Sequence, residues 1–185
     1  MGDDAQMTMD LGVPVERTEW GKWVDPDRRH AQAQKFMDYA GIDRIPSKLW
    51  KKGSAEVKRL NPIVAELFPN IDAAAANIDM TDAFICFIGE CFIKFAGGRW
   101  VDAEWADLNL SLYEHVRPAV ACDTFDEDEL VMWGEVEDMI GSPRRDDYEG
   151  MFSYIVWVLS EYAEDHEEKR CEDSEVAENR AKLKR

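Results

Sequence analysis

The sequence predicts an α+β fold that is mainly helical, with about five helices around one central buried helix and a small antiparallel sheet of two or three strands. Three observations lead to this prediction. A long apolar segment, residues 82–96, lies between a threonine and a glycine pair. Alternating and short apolar runs follow between residues 108 and 122, as is typical of strands. Capping signals precede amphipathic segments on both sides of these features.

The chain of 185 residues suits one domain, and its seven tryptophans provide ample material for a core. We expect a flexible leader over residues 1–13 and a single domain over residues 14–166. The apolar stripe of the last helix disappears near residue 164. Residues 167–185 are therefore expected to be a polar tail that is either a solvated helical extension or disordered.

Two helical segments are predicted before the central one. Asp25 is a good N-cap residue and Pro26 suits the first helical position, so a helix is expected to run to Ala40 and to end at Gly41. Residues 45–68 also favour a helix. We expect a break in it near Asn61-Pro62, where Asn61 can cap a new turn.

The central helix is predicted from Asp82 to Ala96, with Thr81 as its cap and Gly97 closing it in the left-handed conformation. The alternative is a β-hairpin that turns at Gly97-Gly98. The segment is longer than a usual strand, which favours the helix. Gly89 has a low helix propensity, and we expect it to permit close packing.

Strand patterns follow the central helix. Leu108, Leu110 and Leu112 alternate with polar residues and predict one strand, and residues 116–122 predict a second. Pro118 cannot donate a ladder hydrogen bond, so the second strand is expected to be an edge strand or to bend there.

Two more helices are predicted toward the C-terminus. Thr124 and Glu127 form a capping box for a helix that ends near Gly141. Asp146 and Glu149 form a similar box for a longer helix. The apolar stripe of that helix consists of Tyr148, Met151, Phe152, Ile155, Leu159 and Tyr162.

A spaced motif consists of Gly89-Glu90, six residues, Gly97-Gly98, one residue and Trp100. Residues 79–120, which contain it, resemble the helix, GGxW turn and strand of a loose group of uncharacterised bacterial proteins. Many of these are actinobacterial or phage-linked, and some are suspected immunity proteins for toxins. The resemblance implies an α+β domain and a bacterial or phage source, and it brings no catalytic residue.

Glu90 is the one acidic residue within residues 84–100, and two interpretations are open. A buried carboxylate can serve as a catalytic acid, together with another carboxylate or with His115. Alternatively, Glu90 pairs with Lys94, Arg99 or the Trp100 indole and stabilises the fold, which we favour because structural ion pairs are common. No nucleophile motif or phosphate-binding loop is present, so the sequence predicts that the protein is not an enzyme.

No metal or cofactor site is predicted, because the three histidines and four cysteines lack ligand spacing. Cys86 and Cys91 would point about 140° apart on one helix, too far apart to form a disulfide. We expect reduced thiols and a cytoplasmic location. No membrane span is expected, because charged residues interrupt the best apolar run.

The formal net charge is −17, and more than half of the 39 acidic side chains lie after residue 121. Such a field repels nucleic acid and attracts basic protein surfaces. The predicted binding face consists of Asp126, Glu127, Asp128, Glu129, Glu135, Glu137 and Asp138. The basic residues within 44–59 are expected to pair with the acidic C-terminal half or with another copy, which allows a homo-oligomer.

These features predict an acidic protein that binds and inhibits a partner with a basic surface, as an immunity protein or antitoxin does. The alternative is a phage protein whose carboxylates imitate DNA phosphates and inhibit a restriction or defence enzyme. A compact patch around an apolar centre would favour the first hypothesis. Carboxylates along one elongated face would favour the second.

Overall fold

The computed structural model describes residues 18–141 and 149–183, so the leader predicted for residues 1–13 lies outside it. Within these ranges the fold is mainly helical α+β, as predicted, with seven α-helices and one three-stranded antiparallel sheet. The elements in chain order are α1 Glu19–Val24, α2 Pro26–Ala40, α3 Ala55–Leu67, α4 Ile71–Ala76, α5 Ile78–Ala96, β1 Arg99–Asp102, β2 Pro118–Ala121, β3 Glu129–Val131, α6 Met132–Gly141 and α7 Met151–Leu183. No helix in the described ranges is both long and apolar enough to cross a membrane.

Helix α5 is the central buried helix, and α2 and α7 pack against it. It ends at Gly97 in the left-handed conformation, so the helix prediction is confirmed and the hairpin alternative is wrong. Its start is one turn earlier than predicted, at Ile78. Thr81 lies inside the helix and is buried, and its hydroxyl donates to the Ala74 carbonyl at 2.6 Å instead of capping the helix.

The caps predicted for α2 are confirmed. The Asp25 side chain accepts from the Arg28 amide at 3.0 Å, and Gly41 closes the helix with φ of 64°. The sequence gives weaker signals for α1 and α4, which have six residues each and were not predicted. Their caps are Thr18 and Asn70.

The predicted break at Asn61-Pro62 is wrong, because α3 continues through Pro62. The helix predicted from residue 45 is also wrong over residues 45–54, which are not helical. Asn61 does not cap a turn. Its side chain is buried and joins α3 to α7, since its amide donates to Ser153 Oγ and to the Glu149 carbonyl, each at 2.9 Å. These bonds and the buried apolar face of α3 stabilise the helix across the proline.

The sheet has the order β1-β2-β3, with Val120 opposite both Trp100 and Leu130. The strand predicted at Leu108–Leu112 is wrong, because Leu108–Leu110 forms a 3₁₀ turn capped by Asp107. The edge position predicted for the second strand is also wrong, since β2 is central. Pro118 is its first residue and β3 pairs only with Ala119–Ala121, so the missing N–H faces no β3 partner.

The capping box predicted at Thr124 and Glu127 is wrong. A hairpin loop and β3 occupy that segment, and α6 starts only at Met132, although it ends at Gly141 as predicted. Asp146 and Tyr148 lie outside the described residues, and Glu149 precedes α7 with a positive φ of 61°. The apolar stripe from Met151 to Leu159 is buried as predicted. Helix α7 then continues to Leu183, and its residues 170–178 are exposed.

The spaced motif positions one side chain, Trp100. Gly89 leaves room for the indole ring, which a Cβ atom at this position would overlap, and Glu90 Oε1 accepts its N–H at 3.1 Å. Gly97 and Gly98 let the chain leave α5 against His166 and Val120. The motif therefore fastens β1 to the central helix.

Candidate functional site

Residues 122–128 connect β2 to β3 and are called the acidic loop. The Cys122 amide donates to the Asp128 carbonyl at 3.0 Å and closes the loop, and Glu127 lies at its tip with φ of 53°. Asp123, Asp126, Glu127 and Asp128 are all exposed. Four of the seven predicted binding residues, Asp126 to Glu129, therefore lie together on a hairpin and not on a helix.

Helix α7 holds the acidic loop in place. The Tyr162 hydroxyl donates to Asp128 Oδ2 at 3.2 Å, and the Phe125 amide donates to Asp165 Oδ2 at 3.1 Å. Lys169 Nζ donates to Asp123 Oδ1 at 2.7 Å and to the Thr124 carbonyl at 3.1 Å. The Lys169 ammonium lowers the pKa of Asp123. These contacts join the loop to α7.

On the α7 side, a depression of roughly 220 Å³ is lined by Asp126, Asp128, Glu161, Tyr162 and Asp165. We call it the acidic cup. Its lining contains four carboxylates and no lysine or arginine. Burial, followed by the nearby Asp128 charge, raises the pKa of the Tyr162 hydroxyl, which stays neutral. The cup therefore offers a negative rim around an aromatic ring.

On the other side of the loop, a groove of roughly 450 Å³ runs past the start of β1. Its lining consists of Gly97, Arg99, Ala121, Cys122, Asp123, Glu127, Glu129 and Lys169. Arg99 is exposed here and does not contact Glu90. The alternative that paired Glu90 with Arg99 is therefore wrong. The charge is mixed on this side, so the acidic cup is the more strongly negative of the two surfaces.

Two exposed aromatic side chains adjoin the acidic loop. Trp105 is 69% exposed, and its indole N–H donates to Glu129 Oε2 at 2.5 Å. Phe125, within the loop, is 47% exposed. Reasoning from sequence did not identify either residue as part of the site. For Phe125 a signal existed, because it lies among acidic residues that disfavour burial.

The remaining predicted binding residues lie on α6, where the structure corrects the prediction for Glu135. This side chain is half-buried, and its Oε2 atom is buried without a hydrogen-bond partner. Burial, together with the charge of Asp138, raises its pKa to about 7. Burial also raises the pKa of the half-buried Glu137. Of these three residues, only Asp138 is exposed.

Replacing Glu135 by glutamine should remove a pH dependence of stability. Because the folded-state pKa is raised from 4.5 to about 7, folding is favoured while Glu135 is protonated and loses this advantage as pH rises from 4.5 through 7. We expect the variant to gain roughly 3 kcal/mol over the wild type between pH 4.5 and pH 8. Urea unfolding of both proteins across this range measures the gain, and a constant difference would contradict the prediction.

A second group of polar residues lies where α2 crosses α5. Asp82 is 3% exposed and accepts four hydrogen bonds. The donors are Arg28 Nη2 at 2.6 Å, Gln32 Nε2 at 2.6 Å, Tyr113 OH at 2.5 Å and Trp23 Nε1 at 3.2 Å. Both carboxylate oxygens are therefore already bonded within the protein, as in a structural network.

Glu90 lies two turns further along α5, with 14% of its side chain exposed. Its Oε1 atom accepts from Arg29 and from the Trp100 indole, so the predicted pairing with Trp100 is confirmed. The pairing with Lys94 is wrong, because Lys94 Nζ donates to the Ile45 carbonyl at 3.3 Å. These contacts fit the structural interpretation of Glu90.

In residues 18–141 and 149–183, no group of three or more histidine, cysteine or acidic side chains is arranged to hold a metal ion. The four cysteines are free thiols. In the same ranges, the basic side chains of residues 44–59 form no salt bridge with the acidic C-terminal half. The predicted pairing of these basic residues with that half is therefore wrong.

Comparisons of the chain with protein-family models, with curated proteins and with solved structures find no match. The resemblance of residues 79–120 therefore stays a prediction. Function has to be inferred from the site itself, and the most distinctive site in the described chain is the acidic loop with its two exposed aromatic residues.

Proposed function

We propose that the protein binds a positively charged surface of another protein and blocks it, in the manner of an immunity protein or antitoxin. One observation carries the proposal: the exposed aromatic residues Trp105 and Phe125 adjoin the compact set of carboxylates on the acidic loop and α7. Aromatic anchors inside a charged rim are the usual composition of a protein-binding hot spot.

The physical roles of the two components differ. The carboxylates of the acidic cup raise the rate of encounter with a basic partner, and salt screens this effect. Phe125 and Trp105 supply apolar area that is removed from water in the complex. Because α7 already orders the loop through Tyr162, Asp165 and Lys169, little conformational entropy is lost on binding.

A DNA-mimic inhibitor is the second candidate, and the exposed part of α7 favours it. Carboxylates recur there every three or four residues, at Glu161, Glu164, Glu168, Glu172 and Glu175. This places one charge per roughly 5 Å of helix axis, compared with about 3.4 Å per phosphate along one DNA strand. Lys169 and Arg170 interrupt the negative series, so the compact acidic loop supports the first candidate better.

The test uses the protein and three variants as matched baits for proteins from the source cells. Asp126→Lys changes the acidic cup and Phe125→Ala removes an anchor. Glu66→Lys is the control, because it changes the net charge equally at an exposed site on α3. We expect Asp126→Lys to slow association with the captured partner about tenfold at low salt, and Phe125→Ala mainly to speed dissociation.

Two outcomes would oppose the proposal. Equal capture by all four baits would mean that the acidic loop is not the binding surface. Association rates that do not change between low and high salt would remove the electrostatic role. Competition by duplex DNA for the captured partner, together with reduced capture when Glu168 and Glu172 are replaced by lysine, would favour the DNA-mimic candidate.

A further inference from the structure

The segment between α2 and α3 carries basic residues that the proposed function does not use. We call residues 43–52 the basic loop. Its exposed cations are Arg44, Lys48, Lys51 and Lys52. Beside it, the amide of the buried Ile42 donates to the Met37 carbonyl at 2.8 Å. Within it, the buried Trp50 packs against Phe152, at 5.3 Å between ring centroids. These contacts fix the loop against the core, and its cations face solvent.

The fold brings two further cations to the basic loop. From α5, Lys94 Nζ donates to the Ile45 carbonyl at 3.3 Å. From α3, Arg59 Nη1 donates to the Ala40 carbonyl at 2.6 Å, just before the loop. Tyr39, at the same end of α2, is 52% exposed. We call the basic loop, Lys94, Arg59 and Tyr39 together the basic surface, which combines positive charge with an exposed aromatic ring.

The charge of the basic surface is not neutralised within the part of the chain that the structure describes. None of its lysines and arginines forms a salt bridge there. Asp43 and Glu56 are close in sequence, and the Glu149 carboxylate lies beside Gly53. These carboxylates are fewer than the cations. The surface therefore stays positive on a protein with a net charge of −17.

The acidic loop has the opposite charge and a similar composition. Its exposed carboxylates adjoin Phe125 and Trp105, as the cations of the basic surface adjoin Tyr39. Opposite potentials on two surfaces steer their encounter, and aromatic anchors supply apolar contact. Because the described chain has no salt bridge between the two surfaces, pairing between them joins two molecules.

We propose that the basic surface of one molecule docks onto the acidic loop of a second copy. The cations of the basic loop and Lys94 then meet the carboxylates of Asp126 to Glu129. The contact joins two different surfaces, so each docked molecule still presents one free surface of each kind to a neighbour. The assembly is therefore head-to-tail, and it either closes into a ring or continues.

The net charge of −17 on each molecule opposes this contact at long range. At about 0.15 M salt the Debye length is about 8 Å, so most of the repulsion between distant charges is screened. Opposite charges that touch across the contact are screened less. At about 1 M salt the Debye length falls to about 3 Å, and the attraction is weakened as well. Self-association is therefore expected at moderate salt and is lost at high salt.

Self-association covers the acidic loop that binds the partner in the proposed function. A second copy and the partner then compete for this loop, and that competition rests on the proposed function. Self-association itself is measured on the purified protein without a partner. Its failure and the failure of the proposed function can therefore be told apart.

The experiment reverses the charge of each surface in the full chain. One variant combines Lys51→Glu with Lys52→Glu, and the other combines Asp126→Lys with Glu127→Lys. All of these positions are exposed. The first variant makes the net charge more negative and the second makes it less negative, so a loss of association in both cannot arise from net charge. Sedimentation equilibrium over a range of protein concentrations measures the average mass.

We expect the average mass of the wild type to rise with concentration at about 0.15 M salt and to stay monomeric at about 1 M salt. Each variant alone should associate at least about tenfold more weakly, because like charges then face each other. An equal mixture of the two variants should associate again, since each supplies the surface that the other lacks. This rescue requires that both variants are folded.

The control variant combines Glu66→Lys with Asp72→Lys. These changes alter the net charge as much as the acidic-loop variant does, at exposed positions on α3 and α4. The control should associate at least as strongly as the wild type. Weakening of the control to the same extent as the acidic-loop variant would contradict the assigned surface.

Three other results would overturn the proposal. The first is a wild type that stays monomeric at about 0.15 M salt. The second is unchanged association in either loop variant, and the third is no association in their mixture. Duplex DNA that binds a monomeric wild type, but not the Lys51→Glu, Lys52→Glu variant, would assign the basic surface to nucleic acid instead of to a second copy.

Discussion

Gly89→Ala is expected to destabilise the protein by about 3 kcal/mol, although alanine is the better helix former. The new Cβ atom would overlap the Trp100 ring. That ring cannot move away easily, because it donates to Glu90 at 3.1 Å and packs edge-on against Trp23 at 5.0 Å between ring centroids. The steric cost therefore exceeds the gain of about 1 kcal/mol in helix propensity.

Gly134→Ala is the matched control for this prediction. Gly134 lies in α6, and a Cβ atom there would meet no heavy atom within 4 Å. Only the higher helix propensity of alanine remains, so this variant should be more stable than the wild type by up to about 1 kcal/mol. Urea unfolding of both variants measures whether the free energy of unfolding falls or rises relative to the wild type. If Gly89→Ala were as stable as Gly134→Ala, the packing of Trp100 against α5 would be wrong.

A double variant tests whether the overlap with Trp100 causes the loss of stability in Gly89→Ala. Trp100→Phe removes the part of the indole that faces Gly89, so it should lower the cost of adding the alanine. A double-mutant cycle for Gly89→Ala and Trp100→Phe should give a favourable interaction energy of about 1 kcal/mol or more. Independent effects of the two changes would instead show that the cost of Gly89→Ala arises elsewhere in α5.

Asp82→Ala is expected to cost about 3 to 5 kcal/mol, because it leaves the buried donors around it without an acceptor. Arg28 loses its ion pair, and the buried Trp23 and the half-buried Tyr113 lose the carboxylate oxygen to which both donate. Thermal and urea unfolding measure the loss.

The control for Asp82→Ala lies one turn earlier on the same helix. Asp79 also forms a salt bridge with a basic residue of α2, Lys35, but its side chain is 62% exposed. Asp79→Ala should therefore have a much smaller effect than Asp82→Ala. A cycle with Arg28→Ala should show strong coupling to Asp82. Equal effects of Asp79→Ala and Asp82→Ala would mean that burial of the network contributes nothing.

Elements with strong local signals were predicted well from the sequence. The N-cap at Asp25, the left-handed Gly41 and Gly97, and the apolar stripe from Met151 to Leu159 depend only on neighbouring residues. The alternating leucines at 108–112 misled the prediction, because an alternation over only five residues does not exclude a turn, and Leu108–Leu110 forms a 3₁₀ turn. The capping box at Thr124 also failed, since the paired strands β2 and β3 compete for that segment.

The candidate site was predicted only in part. The sequence shows that Asp126 to Glu129 form an acidic cluster, and the structure places them on an exposed loop. The sequence does not show that this loop is held by Tyr162, Asp165 and Lys169, because more than 30 residues separate them from the loop along the chain. The exposure of Trp105 is also invisible in sequence, since an isolated tryptophan is normally expected in the core.

By itself, the sequence determined the class of the fold, the buried central helix and the negative charge, because composition and periodicity act locally or as sums over the chain. Only the tertiary structure decided which carboxylates are exposed. Asp126 faces solvent, Asp82 is satisfied by four donors, and the Oε2 atom of Glu135 is buried without a hydrogen-bond partner. The three have nearly the same intrinsic chemistry. Their different states arise because desolvation and hydrogen bonding depend on which distant surfaces meet when the chain folds.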